Sequence, residues 1–519
     1  MPTNRASPLH GLTALARAAL RPERPDRLPR AMAALALTGP TLAGGVAMAA
    51  ARYPTAHAII DDDGPLTYGR LWALSDGVAR TLRRDGVGED AVVGLLHRNH
   101  RGFLISLVAA AKLGGDIVYL NTGFAGPQLA DVVEHERVGV VLHDDEFAGI
   151  VPPSTRAWST SELRPMGQAR SLVPFTASRR VGRTVILTSG TTGRPKGAQR
   201  SGTGRADAAT PLLSTVPLRA RDTVVIAAPL FHAWGLSHLG FGLGFSSTAV
   251  VQRHFDAEGV MRLIDEHRPA GLVVVPVMLQ RILALGGETL ARYDTSSLRY
   301  IASSGSAIGA SLATATMQRF GPILYNTYGS TEVSLATIAT PEDLRMAPST
   351  AGRVAVGSTV RILDEEGRPC PVGTVGRVFV GAGARFEGYT GGGGKEEIDG
   401  LLSSGDVGHF DADGLLYIDG RDDDMIVSGG ENVFPGEVED LLLGHGAIAD
   451  AAVVGVPDER FGQRLKALIV LRPQRSLTAP EVQAYVRDGL ARYKVPGTVE
   501  FVDELPRTAT GKLRRRDLS

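Results

Sequence analysis

Short runs of β-branched and aliphatic residues recur along the middle of the chain, at 92–96, 138–142, 185–187, 224–227 and 272–275. Each run is three to five residues long, which suits a strand and is too short for a buried helix. We therefore predict buried strands at these positions.

Segments with helical periodicity lie between these runs, at 103–113 and 258–267, and Asp256 is well placed to cap the second helix. Alternation of strands and helices is typical of α/β layers with mostly parallel strands. We predict an α/β fold: a large multi-layer N-terminal domain with mixed and parallel sheets, and a small, mobile α+β C-terminal domain.

The pattern changes after residue 354, where short strands and turns dominate, and a compact unit follows the acidic stretch 421–424. The predicted elements of that unit are a helix over 435–443 that begins at Pro435, strands at 451–456 and 467–471, and a helix over 481–493. We predict a first domain over residues 1–422 and a second over 423–519, with Asp423 at the hinge.

An uncharged stretch over 31–51 follows several arginines near the N-terminus. Its length resembles that of a membrane span, but it is rich in Ala and Gly and contains Pro40, which disfavours both a spanning helix and a signal peptide. We predict a helical N-terminal extension over residues 1–55, with a helix pair that is a candidate for peripheral contact with membrane lipids. We expect the protein in the cytoplasm. If the helix pair contacts lipids, we expect that contact at the inner face of the membrane.

Charge and cysteine content exclude several classes. Lys plus Arg and Asp plus Glu each number 55, and this balance argues against a nucleic-acid partner, which normally requires a basic excess. Cys370 is the only cysteine, so an intramolecular disulfide and a cysteine-ligated metal site are both excluded.

Residues 188–197 read Thr-Ser-Gly-Thr-Thr-Gly-Arg-Pro-Lys-Gly and follow the predicted strand at 185–187. The glycines let the backbone approach a ligand, and the hydroxyls, the amides and Lys196 suit a polyphosphate. Such loops are also common as plain connectors, and this one lacks the Gly-Lys-Ser/Thr order of a P-loop. By itself the loop leaves both readings open.

Four further motifs follow this loop in order. They are Tyr-Asn-Thr-Tyr-Gly-Ser-Thr-Glu at 325–332, Ser-Gly-Asp at 404–406, Gly-Arg-Asp-Asp at 420–423 and Pro-Arg-Thr-Ala-Thr-Gly-Lys at 506–512. From about residue 66 onward, the ordered set resembles the adenylate-forming superfamily, which includes acyl-CoA synthetases, luciferases and peptide-synthetase adenylation domains. The segments 386–389 and 425–433 make the chain most similar to bacterial fatty-acyl-CoA synthetases.

The resemblance implies an ATP-dependent fatty-acid–CoA ligase for medium- or long-chain acids. A carboxylate attacks the α-phosphate of ATP to give acyl-AMP and pyrophosphate, and the thiol of coenzyme A then displaces AMP. An acyl-AMP ligase that delivers to a carrier protein and an aryl-CoA ligase stay open as alternatives. A non-catalytic lipid-binding or scaffold protein is disfavoured, because Lys512, Glu332, Asp406 and Lys196 are intact.

The same resemblance implies a nucleotide site. Tyr328 is expected to stack on adenine, Asp406 and Arg421 to hold the ribose, and Glu332 with Thr188 to bind Mg²⁺. Other expected nucleotide contacts are Ser189, Gly190, Thr191, Thr192, Gly193, Lys196, Gly305, Ser306, Ala307, Gly329, Ser330 and Thr331. Residues 303–307 read Ser-Ser-Gly-Ser-Ala, where the family more often has Gly-Gly-Ala-Pro.

Catalysis is expected from Lys512, His232 and Glu332. Lys512 would contact the carboxylate and the α-phosphate as charge develops, although a lysine beside three arginines is otherwise typical of a solvated basic tail. His232 would lie beside the acyl carboxylate.

The glycines at 240, 242 and 244 are expected to leave room for the acyl chain. For thioester formation the small domain would turn about Asp423 and present Gly429 and Gly430 to the pantetheine arm of coenzyme A.

Overall fold

The computed structural model describes residues 13, 24–168, 175–188, 196–200, 206–381, 386–390, 392–428, 431–458, 462–508 and 512–518. The helices in chain order are α1 (Arg27–Thr38), α2 (Leu42–Arg52), α3 (Tyr68–Arg84), α4 (Arg101–Leu113), α5 (Gly126–His135), α6 (Thr160–Gln168), α7 (Ala206–Thr215), α8 (Ala233–Gly244), α9 (Ala257–His267), α10 (Pro276–Leu283), α11 (Gly287–Leu290), α12 (Ala310–Phe320), α13 (Pro341–Met346), α14 (Pro435–Leu443) and α15 (Ala479–Gly489).

The strands follow the same order along the chain. They are β1 (His57–Asp61), β2 (Gly64–Thr67), β3 (Val92–Leu96), β4 (Asp116–Tyr119), β5 (Val140–His143), β6 (Arg156–Ser159), β7 (Thr184–Thr188), β8 (Lys196–Arg200), β9 (Thr223–Ile226), β10 (Thr248–Val250), β11 (Gly271–Val274), β12 (Tyr300–Ser303), β13 (Leu324–Ser330), β14 (Ser334–Ala339), β15 (Arg353–Val354), β16 (Thr359–Leu363), β17 (Gly376–Gly381), β18 (Glu397–Ile398), β19 (Leu401–Phe410), β20 (Leu416–Arg421), β21 (Ile426–Ser428), β22 (Glu431–Val433), β23 (Ile448–Asp458), β24 (Gly462–Leu471) and β25 (Thr498–Phe501).

Two sheets with mainly parallel interiors form the body of the large domain. The first has the order β15-β14-β13-β12-β11-β9-β10-β1-β2, and the second has the order β6-β5-β3-β4-β7-β8. Antiparallel pairs occur only towards the edges of these sheets, as in β7–β8 and β13–β14. The α/β prediction with mixed and parallel sheets is thereby confirmed.

One hydrophobic core joins the two sheets. It includes Val93 and Leu95 of β3, Leu104 of α4, and Leu272 and Val273 of β11, all fully buried. Burial on both faces explains why the predicted strands are continuous apolar runs, not alternating ones. The strands predicted near 92–96, 185–187, 224–227 and 272–275 all occur within a residue or two of their predicted bounds, and Asp256 accepts a hydrogen bond from Gly259 N at 2.7 Å as the cap of α9.

An antiparallel sheet follows the two main sheets, with the order β16-β17-β19-β18 and with β20 paired to β19. The C-terminal residues form a separate sheet, β22-β21-β24-β23, with β25 parallel to β24. Its first face packs on α14 and α15 through Val438, Leu442, Val482 and Val486. This small α+β unit has its own core and confirms the predicted two-domain architecture, while the boundary at 422/423 stays a prediction.

The last helix is shorter than predicted. The pattern at 481–493 predicts one helix, but α15 ends at Gly489, and Leu490 is extended with φ −137° and ψ 170°. A short 3₁₀ turn over Arg492–Lys494 then carries the remaining residues. Glycine is a poor helix former, and here it ends the helix one turn before the apolar pattern does.

The uncharged stretch near the N-terminus folds as the predicted helix pair, α1 and α2, joined at Gly39 and Pro40. The α2 side of the pair is buried, whereas α1 exposes Leu28, Met32 and Leu37. None of the helices in the described ranges combines the length and the hydropathy that crossing a bilayer requires. Peripheral contact of this extension with lipids stays a prediction.

Candidate active site

Tyr328 and Asp406 meet where β13 ends beside β19. The Tyr328 hydroxyl donates to Asp406 Oδ2 at 2.6 Å. Burial raises the pKa of Asp406 above its usual range, while the Tyr328 hydroxyl, Arg421, Lys512 and Lys395 lower it. Burial thus outweighs the hydroxyl donor and the cations that surround the carboxylate.

Arg421 lies next to Asp406 on the neighbouring strand. The two residues are paired in the register of β19 and β20, and the guanidinium lies 3.8 Å from Asp406 Oδ1. Gly405 precedes Asp406 with a φ of +81°, and a Cβ there would lie 3.2 Å from Arg421. Glycine therefore suits this position in β19, both because of its positive φ and because a side chain would crowd the Arg421 guanidinium.

Glu332 lies just beyond β13 and is buried. Its Oε2 accepts from the Ser330 hydroxyl at 2.9 Å, and its Oε1 accepts from the Tyr389 hydroxyl at 3.1 Å. A tight bulge at Gly329, where a Cβ would lie 2.0 Å from the Ser334 carbonyl, turns this segment into the site. Two neutral hydroxyl donors orient the carboxylate and leave its charge available to a cation.

The residues that flank the glycine-rich loop are paired. Thr188 at the end of β7 lies opposite Lys196 at the start of β8, so these two residues form the paired base of the β7–β8 hairpin. The Lys196 ammonium lies 5.3 Å from the centre of the Tyr389 ring, within reach of a cation–π contact. Since Tyr389 also bonds Glu332, the hairpin base and the Glu332 carboxylate share one neighbour.

The segment 303–307 runs beside the end of β13. Ser304 Oγ donates to the Thr327 carbonyl at 3.0 Å, and Thr327 Oγ1 donates to the Ser303 carbonyl at 3.2 Å. Gly305 has a φ of +98°. The predicted contacts Gly305, Ser306 and Ala307 therefore lie next to the Tyr328 strand, and their role towards a nucleotide stays a prediction.

His232 lies at the N-terminus of α8 with its ring against Phe231, at 4.4 Å between centroids. Its Nε2 is buried and has no hydrogen-bond partner among the described residues. Burial lowers the pKa of His232 to about 3, and the charge of Lys512 acts in the same direction. The imidazole is therefore neutral at physiological pH and has a nitrogen free to meet a ligand.

Lys512 comes from the small domain, and its backbone is paired with Thr508. Thr508 N donates to the Lys512 carbonyl at 2.8 Å, and Lys512 N donates to Thr508 Oγ1 at 3.1 Å. Leucines at 505, 513 and 518 pack this tail on the second face of β23 and β24. The backbone of Lys512 is thus fixed to the small domain through Thr508 and the neighbouring leucines.

Two arginines fix the tail to the small domain by ion pairs. Arg507 forms a bidentate pair with Asp450 at 2.7 and 2.8 Å. Arg515 bonds Glu439 at 2.7 and 2.9 Å and lies 3.3 Å from Asp424. Arg515 is therefore not part of a solvated basic tail, because it is half-buried and paired with two carboxylates.

Lys512 acts electrostatically on the large-domain site. The Lys512 side chain is exposed to solvent on one side. Even so, desolvation by the surrounding protein and the charge of Arg421 lower the pKa of Lys512, whereas Asp406 and Glu332 raise it. The structure therefore brings together Lys512, His232, Glu332, Asp406, Arg421 and Tyr328, drawn from both domains.

Several predicted site residues lie outside the described residues, or have side chains that do. They are Ser189, Gly190, Thr191, Thr192, Gly193, Gly429 and Gly430, together with the side chains of Thr188 and Asp423. Thr331 and Ser330 lie in the described turn before Glu332. Their predicted roles stay predictions.

The glycines of α8 are not arranged as expected. Gly240 and Gly244 are exposed to solvent, so their missing side chains leave no interior room for an acyl chain. Gly242 borders a cavity that also touches His238 and Leu243 and measures about 10 Å³. That is about the space of one water molecule.

Sequence reasoning missed two polar residues at the site. Tyr389 bonds Glu332, and Asn326, in register with Ser303, has a buried side-chain oxygen without a partner among the described residues. Both lie within motifs noted in the sequence, Phe-Glu-Gly-Tyr and the stretch before Tyr328. Their position within these motifs was the sequence signal that could have identified them as site residues.

Comparison with known proteins identifies the family of the chain. Residues 46–390 match the family model described as AMP-binding enzyme, and residues 437–512 match the AMP-binding enzyme C-terminal domain. The indoleacetate–CoA ligase of Aromatoleum aromaticum is 33% identical over 489 residues, covering 90% of this chain and 95% of that protein. The fatty acid–[acyl-carrier-protein] ligase ScoC of Streptomyces coeruleorubidus is 30% identical over 490 residues, covering 90% and 93%.

A solved structure extends the similarity to the whole fold. The o-succinylbenzoate CoA synthetase MenE from Bacillus subtilis, in complex with its acyl-adenylate intermediate, matches with a TM-score of 0.81 at 27% identity. The match covers 96% of this chain and 99% of that chain. The chain therefore belongs to the AMP-binding enzyme family, within the adenylate-forming superfamily that its motifs resemble.

Proposed function

We propose that this protein is an AMP-forming acid–CoA ligase. The observation that carries the proposal is the electrostatic interaction of Lys512 from the small domain with Glu332 and Asp406 of the large domain. Joining a carboxylate to a triphosphate brings two anions together, and preorganised cations and donors offset their repulsion. Family membership and relatives that are named as acid–CoA ligases support the same reaction.

The nucleotide roles in this proposal follow the motif residues. Tyr328 faces adenine, Asp406 and Arg421 bind the ribose hydroxyls, and Lys196 adds charge beside the phosphates. The short bond between Tyr328 and Asp406 supports a shared role, because it fixes the ring and the carboxylate relative to each other.

Glu332 is the proposed Mg²⁺ ligand, with Thr188 as its predicted companion. Its two oxygens accept hydroxyl hydrogen bonds from Ser330 and Tyr389, which leaves lone pairs for a hard cation that prefers oxygen ligands. When bound, Mg²⁺ would neutralise phosphate charge.

Replacing Lys512 with alanine should abolish the first half-reaction and spare the second. Losing one preorganised charge-stabilising donor typically costs about 10²–10³ in rate. We expect at least that loss in acid-dependent pyrophosphate release, with thioester formation from synthetic acyl-AMP and CoA retained. Arg514→Ala, two residues along the same tail, is the matched control and should leave both steps near wild type. Equal loss of both half-reactions in the Lys512 variant would contradict its role.

The acid that we propose is a compact aromatic carboxylic acid. The start of α8 carries His232 against Phe231, and Trp234 edge-on to His238 at 4.3 Å. Trp234 Nε1 donates to the Val274 carbonyl, which fixes the indole. Fixed aromatic rings suit a flat, apolar ligand, and two of the relatives compared above are named for indoleacetate and o-succinylbenzoate.

A fatty acid of medium or long chain, our expectation from the sequence, is the second candidate. ScoC is named as a fatty-acid ligase, which keeps this candidate in view. The exposed positions of Gly240 and Gly244 count against the acyl channel that the glycines suggested.

A panel of acids decides between the two classes. We expect kcat/KM for pyrophosphate release to be at least about tenfold higher for aromatic acids such as indoleacetate or benzoates than for C8 to C16 fatty acids, since apolar pockets discriminate by about 10–200-fold. A preference for fatty acids would reverse the assignment. No pyrophosphate release with any acid would refute the enzyme proposal itself.

Coenzyme A is the proposed acceptor, and a cationic cavity in the small domain supports it. This surface cavity of about 360 Å³ is lined by Arg464, Gln483, Arg487, Arg492, Val495 and Pro496. Arg464 lies two residues beyond Gly462, which pairs with Ser428 at the start of the predicted pantetheine segment. Arginine forks suit phosphate groups, and coenzyme A carries three phosphates where the carrier-bound pantetheine carries one.

The double variant R487A/R492A tests this acceptor site. We expect KM for coenzyme A to rise about tenfold, since a hydrogen bond to a charged group contributes about 1.5–3 kcal/mol. Adenylation should be unchanged, and Arg475→Ala, outside the cavity, should behave as wild type. An unchanged KM for coenzyme A, or faster transfer to a phosphopantetheinyl carrier protein than to coenzyme A, would contradict the proposal.

Asp423 is the proposed hinge, and its backbone lies in a 3₁₀ turn over Asp422–Asp424. The φ range of such a turn includes that of proline, so Asp423→Pro should favour the orientation seen here, with Lys512 at the site. We expect adenylation to survive and thioester formation to fall by at least about tenfold, while Asp423→Ala keeps both steps. Parallel loss of both half-reactions in the proline variant would argue against a hinge.

A further inference from the structure

Asn99 joins two distant segments of the large domain. Its side chain is buried, its Nδ2 donates to the Ala228 carbonyl at 3.0 Å, and its Oδ1 accepts from Leu230 N at 2.8 Å. Both partners belong to the loop that runs from β9 to α8 and ends at His232. One amide therefore satisfies two backbone groups of the loop that carries the predicted acid-binding histidine.

Other contacts also constrain that loop. Ala227 N and Ala228 N donate to the Val273 carbonyl at 2.9 and 3.2 Å, and His232 N donates to the Pro229 carbonyl at 3.2 Å. Leu230 and Phe231 are buried, and Gly235 lies so close that a Cβ there would meet the Pro229 carbonyl at 2.4 Å. The loop thus passes through a narrow space between the sheet and α8. A shift of its backbone would move the His232 ring directly, because His232 is the residue before the helix begins.

Asn99 is itself held by a buried polar cluster. The Asp144 carboxylate accepts from His97 Nδ1 at 2.7 Å, from His100 Nε2 at 2.6 Å and from Arg98 N at 2.9 Å. The three donors belong to residues on both sides of Asn99. The carboxylate therefore fixes the turn between β3 and α4 from which the Asn99 side chain projects.

This cluster has the spacing of a metal site, since its His97, His100 and Asp144 ligand atoms all lie within 4.8 Å of one another. Hydrogen bonding explains it better. His100 Nδ1 accepts from Gly102 N at 3.1 Å, so Nε2 carries the proton that it shares with Asp144. The Arg253 guanidinium, 3.8 Å from Asp144, supplies positive charge where a metal ion would have to compete.

We infer that Asn99 is a positioning residue for His232, and that Asp144 acts through Asn99 as its support. The inference rests on the proposed function, since it concerns how the acid is presented for adenylation. A misplacement of about 1 Å can cost 10²-fold in rate, so the loss of two hydrogen bonds that fix this loop should be visible in the acid-dependent step.

The variants N99A and N99D test the inference. N99D keeps an acceptor for Leu230 N but turns a second oxygen towards the Ala228 carbonyl. We expect kcat/KM for the acid in pyrophosphate exchange to fall by about 10- to 100-fold in both. KM for ATP, and thioester formation from synthetic acyl-AMP and coenzyme A, should stay within about twofold of wild type.

Combination with His232→Ala separates positioning from general stability. If Asn99 acts through His232, adding N99A to H232A should cause little further loss, because the two changes remove one function. Asn121→Ala, which removes a side-chain oxygen that accepts a hydrogen bond from Gly123 N in another loop, is the control and should leave every step unchanged.

Three outcomes overturn the inference while leaving the proposed function intact: normal acid kinetics in N99A, equal loss of both half-reactions, or full additivity with H232A. An inactive wild-type protein with every acid would refute the proposed function instead. The two failures are therefore distinguishable in one set of measurements.

Discussion

The approach of Lys512 to the large domain depends on ion pairs that lie within the small domain. Arg507 on Asp450 and Arg515 on Glu439 and Asp424 hold the C-terminal tail against β23 and α14. A lysine on a free tail would lose side-chain and backbone freedom when it meets an anionic substrate. Here the ion pairs supply part of that ordering before substrate binds, and Lys512 already interacts electrostatically with Glu332 and Asp406.

The strands and the order of the motifs could be predicted because they depend on local sequence. Buried parallel strands are continuous apolar runs, and Asp256 caps its helix through a contact three residues away. The end of α15 was wrong by several residues, because Gly489 stops a helix whose apolar pattern continues. Local patterns therefore identified elements better than their ends.

Long-range polar contacts could not be predicted from the sequence. Asn99 and Ala228 are 129 positions apart, and no feature of either segment points to the other. Arg515 looked like part of a solvated basic run, since its partners Glu439 and Asp424 lie far from it in sequence. The candidate site was predictable where motifs carry it, at Tyr328, Glu332, Asp406 and Lys512, and not where side chains of separate segments support it.

The short turn over Asp422–Asp424 directly follows Arg421, a proposed ribose contact. Its last residue, Asp424, lies 3.3 Å from Arg515 in the tail. The proposed nucleotide contact and the tail contact therefore lie at opposite ends of the segment 421–424. Under our proposal, departure of AMP would release one end of this turn at the moment when the small domain must swing back. Product release and the return of the small domain would then be coupled through one short turn.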